Sequence, residues 1–445
     1  MTGHSIVSIL VLASTLLSLD IEPFRQRRLV VRDKLGPRSA LVLFTSEVHR
    51  RNGDVNHEFR PDSDFWYLTG HPEQDTRLIL TGRDMSEFEE LPFKNEIIFA
   101  KPRDPRWERW NGKRLGEYGA RNSLGFQAFA ISDSFETVLE AIIPHVDTLF
   151  TNRMDLRNGE NSPTVSRQLP GSVPDGIVIV DAGTIIHPLR HVKSPEEIEL
   201  LIKAVEITGK AIEEAMTRTQ PQQFEYNSQA IIEFVFSDLG SKRPGFPSIV
   251  GSGPNSTILH YTENDRLMRN GDLLLIDVGA EYKMYTADIT RTIPVNGRFT
   301  PQQKEIYNYV LKVQQTVFDS VEVGMTLGDL TRIAKNYLRN KGFDRYLLHG
   351  VSHWLGLDVH DVGGRGALIK VGTVFTIEPG IYIPENDDSF PEAYRGMGIR
   401  IEDDVLMTEE GAVWLSAQVP RGISQIERIM RRGRHGFRRG RQIQK

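Results

Sequence analysis

Five side chains in the C-terminal half of this 445-residue chain have the types and spacing of a metal site: Asp277, Asp288, His353, Glu378 and Glu402. They fall in short, strongly patterned segments, LLLIDVG, YTADITRT, HGVSHWLGLDVHD, FTIEPGIY and GIRIEDD. Four acids converging in an interior are untenable unless cations neutralise them, because an unpaired buried charge is expensive to desolvate. Two divalent ions roughly 3.5–4 Å apart would remove that cost, hold a bridging hydroxide at neutral pH and polarise a bound carbonyl. That is machinery for hydrolysis. Four carboxylates and one imidazole make a hard, oxygen-rich set that suits Mn2+ best, with Co2+, Fe2+ or Zn2+ also admissible. The chain has no cysteine, so thiolate ligands and disulfides are excluded.

The surroundings of these residues carry further chemistry. His349, His353 and His360 lie within twelve positions, each beside glycine or small residues, which points to a loop or strand end facing a pocket. One of the three is expected to be a direct ligand, leaving the others for proton transfer or substrate binding. Glu378 precedes Pro379-Gly380, which ends its strand. Arg400 and Glu402 stand at i and i+2 and so share one strand face, with a plain salt bridge between them as the bland alternative. The alternation beyond is loose, placing Asp403 and Asp404 behind the ligands or at solvent.

Positioning these groups requires a sheet. DLLLIDVG reads as a buried strand delivering Asp277, and YTADITRTI reads as a period-two strand carrying Asp288. The two acids are eleven residues apart, enough for one strand to turn back beside its neighbour. Asp is depleted from strand interiors, which favours a functional pair over two chance turn residues. TVFTIEPG and GMGIRIEDDVLM supply two more strands. Ser194, Pro195 and Glu197 open a helix with a capping box, and Ile198, Leu201, Val205 and Ile212 then share one face. Thr300, Pro301 and Gln303 start another helix after an Asn296-Gly297 turn. Upstream, SALVLF, EIIFA and GIVIVDAG read as strands and FETVLEAII as helix, forming an α/β domain without a catalytic cluster. AGTIIHPLRHVK marks the boundary.

The fold class is therefore α/β (α+β), in four parts. Residues 1–20 form an apolar extension, 21–190 an N-terminal domain, 191–430 a catalytic domain and 431–445 a basic tail. Composition is globular, with 39% hydrophobic and 25% charged residues and a net charge of -5. That balance fits neither a nucleic-acid binder nor a membrane-surface protein. The tail packs seven Arg or Lys into its last fifteen positions and is expected to be a solvated, irregular end. Ser5 to Leu19 has signal-peptide length, but no Lys or Arg precedes it and no small-x-small cleavage site follows. A retained extension or a misassigned start, and a cytoplasmic protein, are the expectation, with a signal peptide as the alternative.

The segments HYTEN, LIDVGAEYKMYTADITRTIPVNGRFT, SHWLGLDVHDVG, TIEPGIY and YRGMGIRIEDD together resemble the pita-bread metallopeptidases, and among them aminopeptidase P of the bacterial type. RPDSDFWYLTG and PRDPRWERWNGKRLG look like that family's N-terminal domain, and KSPEEIELL like the start of its catalytic domain. The resemblance spans about residues 21–430. It implies a pita-bread catalytic domain that releases an N-terminal residue when proline follows, using two Mn2+ ions. Asp277 would then hold one metal, His353 and Glu378 the other, and Asp288 and Glu402 both. Glu378 would also act as general acid/base, with His260 and His360 stabilising the tetrahedral intermediate and moving protons. His349, Arg400 and Tyr382 would contact substrate, and Trp110 a neighbouring subunit's site in a dimer or tetramer. Prolyl amides have a tertiary nitrogen that donates no hydrogen bond, so this bond needs its own pocket and an activated carbonyl. The rival readings are prolidase, which takes Xaa-Pro dipeptides, and a silent peptide-binding module. Methionine aminopeptidase lacks the N-terminal domain, and creatinase lacks the metals.

Overall fold

The computed structural model describes residues 21–91, 93–152, 176–364 and 366–443; the apolar segment 1–20 lies outside them. The chain divides into two compact units, Met1–Ile186 and His187–Lys445. The first is built on a mixed sheet of β1 (Ser39–Phe44), β2 (Arg77–Thr81), β3 (Glu96–Ala100), β4 (Phe129–Ile131), β5 (Thr148–Thr151) and β6 (Val178–Asp181), in the order β4-β3-β2-β1-β5-β6. Strand β1 pairs antiparallel with β2 and parallel with β5. Phe44 and Phe99 both meet the ring of Phe135 edge-on, tying the sheet to the helix Phe135–Ile142. The GIVIVDAG run is β6, the last strand of this sheet, and its Val178 is exposed rather than buried. AGTIIHPLRHVK, read as the boundary, contains the division between the two units at Ile186 and His187, and it forms the helix Gly183–His191, which tolerates Pro188 within it.

The second unit begins with the helix Pro195–Arg218, whose Ser194–Glu197 capping box is formed as expected. Three antiparallel strands follow, β7 (Ile249–Ser252), β8 (Leu273–Val278) and β9 (Ile289–Pro294), with β8 central. The other half contributes the helices Pro301–Phe318 and Leu327–Arg339. Its strands are β10 (Val374–Ile377), β11 (Gly380–Ile383), β12 (Met397–Arg400), β13 (Asp403–Thr408) and β14 (Gly411–Trp414). Here β13 lies between β10 and β14, while β11 pairs with β12. One continuous apolar core runs from Ala204 and Ile212 through Leu274 and Ile293 to Val310, Phe375 and Ile399.

Two segments depart from the expected alternation, both at the site. YTADITRTI is not one strand. Tyr285–Thr286 closes a tight hairpin with Ala280–Tyr282 around Lys283 and Met284, both with positive φ (47° and 76°). The β9 ladder starts only at Ile289, leaving Asp288 outside it. All six β9 residues are buried, because the helix Pro195–Arg218 and β12 both pack against this strand. GMGIRIEDDVLM likewise splits into β12 and β13, with Ile401 and Glu402 between them.

The Arg-rich end also differs from expectation. A helix runs Ile423–Ile443 and buries Ile426 and Met430. At Gly433 a Cβ would lie 2.1 Å from the Thr217 carbonyl oxygen, so only glycine allows the last turns this close. Among the described residues no helix is long and apolar enough to cross a membrane.

Candidate metal centre

Asp277 occupies the next-to-last position of β8, opposite Ile249 on β7 and Thr290 on β9. Asp288 stands just before β9 begins, Glu378 just after β10 ends, and Glu402 in the break between β12 and β13. His353 is tied to β10: its N–H donates to Thr376 Oγ1 (3.2 Å) and its carbonyl accepts from Thr376 N (2.9 Å). All five side chains line one cavity of about 790 Å³. His353 Nε2 lies 3.3 Å from Asp288 Oδ2, 3.7 Å from Glu378 Oε1 and 3.8 Å from Glu402 Oε1. One ligand atom from each of Asp288, His353 and Glu402 falls within 4.8 Å of the other two.

The donor set fits a cation. Asp277 Oδ1, Asp288 Oδ1 and Glu402 Oε1 are buried and have no hydrogen-bond partner. A native interior rarely leaves such oxygens unsatisfied without an ion or water to meet them. Electrostatics point the same way. Burial raises the Asp277 carboxyl, and burial with Glu402 and Asp277 alongside raises Asp288 well above the ordinary range. Burial, reinforced by Glu402, pushes Glu378 up to about 8. For His353 burial acts downward, but the facing carboxylates of Asp288, Glu402 and Glu378 outweigh it and raise the imidazole well above its usual value. Glu402 is the exception: burial acts upward, yet His353, Arg400 and Thr290 hold it below the ordinary range. The cluster is short of positive charge, which divalent ions would supply.

Arg400 does not pair with Glu402, its i+2 neighbour. Its Nη2 donates to Asp277 Oδ2 (2.5 Å), its Nε to Thr290 Oγ1 (3.0 Å) and its Nη1 to the Tyr382 hydroxyl (2.9 Å). The same hydroxyl lies 2.7 Å from His349 Nε2. Tyr382 is therefore buried behind His349 and Arg400, and is absent from the cavity wall that it was expected to line. His349 borders the cavity 3.5 Å from Glu378 Oε2, and burial followed by the Arg400 charge lowers it to about 4, leaving it neutral. His260 and His360 stand exposed on the wall, the latter ring 4.4 Å from that of His353.

Several further residues steady the acids: Asp403 and Asp404 stand behind the ligands, one of the two places expected for them, whereas Thr290, Arg291 and Gln314 were not singled out in the sequence. Thr290 Oγ1 donates to Glu402 Oε2 (2.6 Å). The Gln314 amide reaches the carbonyls of Ile377 and Ile401 (3.1 and 3.2 Å), the residues preceding Glu378 and Glu402. Asp403, far from solvent, binds Arg291 (2.6 Å) and Gln314 (2.9 Å), and Asp404 Oδ2 accepts from Asp288 N (3.2 Å). A polar Gln314 on the helix face that buries Val310, Val313 and Val317 was the signal available.

A two-unit chain whose second unit gathers buried acids and a histidine in one cavity belongs to the class of metal-dependent hydrolases, and comparison with known proteins makes that specific. Residues 199–409 match metallopeptidase family M24, and residues 24–150 match the aminopeptidase P N-terminal domain. The chain is 39% identical over 435 residues to an Xaa-Pro aminopeptidase of Haemophilus influenzae, covering 92% of this chain and 97% of that protein. It is 37% identical to the Escherichia coli Xaa-Pro aminopeptidase with the same coverage. The solved Pseudomonas aeruginosa aminopeptidase PepP superposes with a TM-score of 0.85 at 31% identity, over 94% of this chain and all of that one. An E. coli aminopeptidase P variant bound to substrate gives 0.83 at 35%, with the same coverage. The chain belongs to the M24 metallopeptidases that carry an aminopeptidase P N-terminal domain.

Proposed function

We propose that this protein is an Xaa-Pro aminopeptidase, hydrolysing the bond between a peptide's first residue and a proline in second place. The observation that carries the reading is the one cavity lined by Asp277, Asp288, His353, Glu378 and Glu402, with three buried, unpartnered carboxylate oxygens on Asp277, Asp288 and Glu402. In this reading Asp277, Asp288, His353, Glu378 and Glu402 would together hold two divalent ions, most simply Mn2+. When bound, such ions supply Lewis acidity and a water made acidic enough to attack at neutral pH.

The side chains do the rest. Glu378 takes the attacking water's proton and returns it to the proline nitrogen, which must gain a proton to leave. His260 and His360 donate to the carbonyl oxygen as it gains charge. His349 presents a neutral imidazole to Glu378. Phe246, Ile249, Leu259 and Val359 form an apolar wall that suits a pyrrolidine ring. Arg400 fixes the aim of Asp277 rather than meeting the peptide with its whole fork. Trp110, 85% exposed on the helix Pro105–Asn111, is open to a second copy in a dimer or tetramer.

Mass spectrometry on an Xaa-Pro-Pro tripeptide, with Mn2+ restored after chelation, tests the reading. Release of the first residue, leaving Pro-Pro, is expected. An intact tripeptide with an Xaa-Pro dipeptide cleaved would shift the assignment to prolidase, and no cleavage of either by metal-loaded protein would leave a binding module. Asp288→Ala is expected to lower bound metal below the wild-type stoichiometry and kcat/KM by at least about 10²-fold, more than loss of a residue that only orients a ligand. A variant that retains full metal by elemental analysis would refute a ligand role for Asp288.

A further inference from the structure

Two buried cations beside the site have no part in the chemistry above. Arg190 and Lys193 are 3% and 5% exposed and flank the turn into the first helix of the catalytic unit. Arg190 Nη2 donates to Asp361 Oδ1 (2.5 Å) and to Asp358 Oδ2 (2.8 Å), and Lys193 Nζ donates to Asp361 Oδ2 (2.9 Å). Both oxygens of one buried carboxylate are thus gripped by two cations. Burial acts to raise that carboxyl, but Lys193 and Arg190 hold it below the ordinary range. So much buried charge is hard to explain by stability alone, since apolar side chains of similar size commonly serve a core as well or better.

What Asp361 anchors is a closed loop. Its N–H donates to the Trp354 carbonyl (2.9 Å), and the Gly356 carbonyl accepts from Thr286 N (3.0 Å), two residues before Asp288. At Gly356 a Cβ would fall 2.1 Å from Asp361 Oδ2 and 3.0 Å from Lys193 Cε, so loop and clamp are in direct contact. His353 enters this loop and His360 leaves it, their rings 4.4 Å apart. The two histidines are held differently. His353 is bonded to Thr376 on β10 through both backbone groups. His360 makes no hydrogen bond of its own among the described residues, and its neighbour in the chain is Asp361.

We propose that Lys193 and Arg190, acting through Asp361, are positioning residues for His360, fixing where its imidazole stands at the cavity. This rests on the aminopeptidase reading, in which His360 meets the substrate carbonyl. A group displaced by about 1 Å can lose a factor of ~10² in rate, so the clamp has rate to give.

The test is a double-mutant cycle on metal-loaded protein with the Xaa-Pro-Pro substrate, alongside melting temperature and metal stoichiometry. Lys193→Met keeps the aliphatic stem and removes the charge. It is expected to lower kcat about 10- to 100-fold, with KM and bound metal within about twofold of wild type. In a His360→Ala background the same substitution should change kcat by less than about twofold, because the group it positions is already gone. Equal losses in both backgrounds, or an unchanged kcat in Lys193→Met alone, would overturn the proposal. Should Lys193→Met not fold, Lys193→Arg, which keeps a cation but shifts its geometry, takes its place in the cycle: a loss confined to the His360 background supports the clamp, and equal losses overturn it. A wild-type protein that cleaves nothing would refute the aminopeptidase reading, whereas an active wild type with equal losses refutes only the clamp.

Discussion

Glu378→Gln is expected to cut kcat by about 10²- to 10⁴-fold, the range that a positioned acid/base contributes, while the fold stays intact. The substitution keeps shape and volume. Backbone bonds set the residue's place, with Glu378 N donating to the Val351 carbonyl (2.9 Å) and Pro379 ending the strand. A carboxamide at that place can neither accept the water's proton nor hand one to the leaving nitrogen. It also offers a weaker donor to a cation, so metal affinity falls alongside turnover. Stability provides a second, opposite signature. Without metal, Glu378 is one of four acids crowded around one imidazole and one guanidinium, and burial opposes its charge. Removing that acid should make the metal-free variant melt higher than metal-free wild type. Steady-state kinetics and thermal melts on chelated and reloaded samples check both halves. Near-normal turnover would sink the acid/base role.

The sequence made some of this site readable and concealed the rest for physical reasons. Asp277 was legible because the six buried residues of β8 are five apolar side chains and one acid near the end of the strand. The helix starts at Ser194 and Thr300 were legible because capping chemistry is local. The breaks at Asp288 and Glu402 were not, since the period-two pattern runs straight through both. What interrupts the ladder is the long-range pairing of Asp288 N with Asp404 and of Glu402 N with the Thr290 carbonyl. Periodicity carries no trace of such contacts. The placement of Arg400 shows the same limit: spacing put it on the face of Glu402, but a strand brought alongside supplied Asp277 as its partner. Tyr382 was read as a substrate contact because its segment matched, yet which side of His349 it occupies depends on β11 pairing with β12. Buried polar residues in apolar settings, such as Arg291 within β9 and Gln314 on its helix, were visible as anomalies without being assignable.

Chelation is expected to abolish turnover and leave a protein whose melting temperature falls as pH rises from about 6.5 to about 8. The sign follows from linkage. Burial raises the folded-state values of Asp277 and Asp288 above their unfolded ones, and that of Glu378 from 4.5 to about 8. A raised acid binds its proton more tightly in the folded state. Its contribution is complete below the unfolded value and is lost as pH climbs through the folded one. His353, raised against burial by the carboxylates around it, adds loss of the same sign. Glu402 runs the other way, because His353 and Arg400 overcome its burial and lower it, but its contribution is lost only in acid below 4.5. It therefore offsets nothing in that window, whereas His349, lowered to about 4, and His360, also lowered, do offset the fall below their ordinary value of 6.5 and leave it clear only above that. Divalent ions reverse the slope by keeping the carboxylates charged and neutralised, and at about 10³ times Kd they add ~4 kcal/mol to stability. Calorimetry at pH 5, 6.5 and 8 (roughly the window set by these shifts), with and without Mn2+, reads the effect directly. A flat or rising apo profile between pH 6.5 and 8 (roughly the upper part of that window) would mean that the acids are not held together in the folded protein. Chelated Glu378→Gln should show a shallower slope than chelated wild type, since one of the raised acids that titrates across this window is then absent.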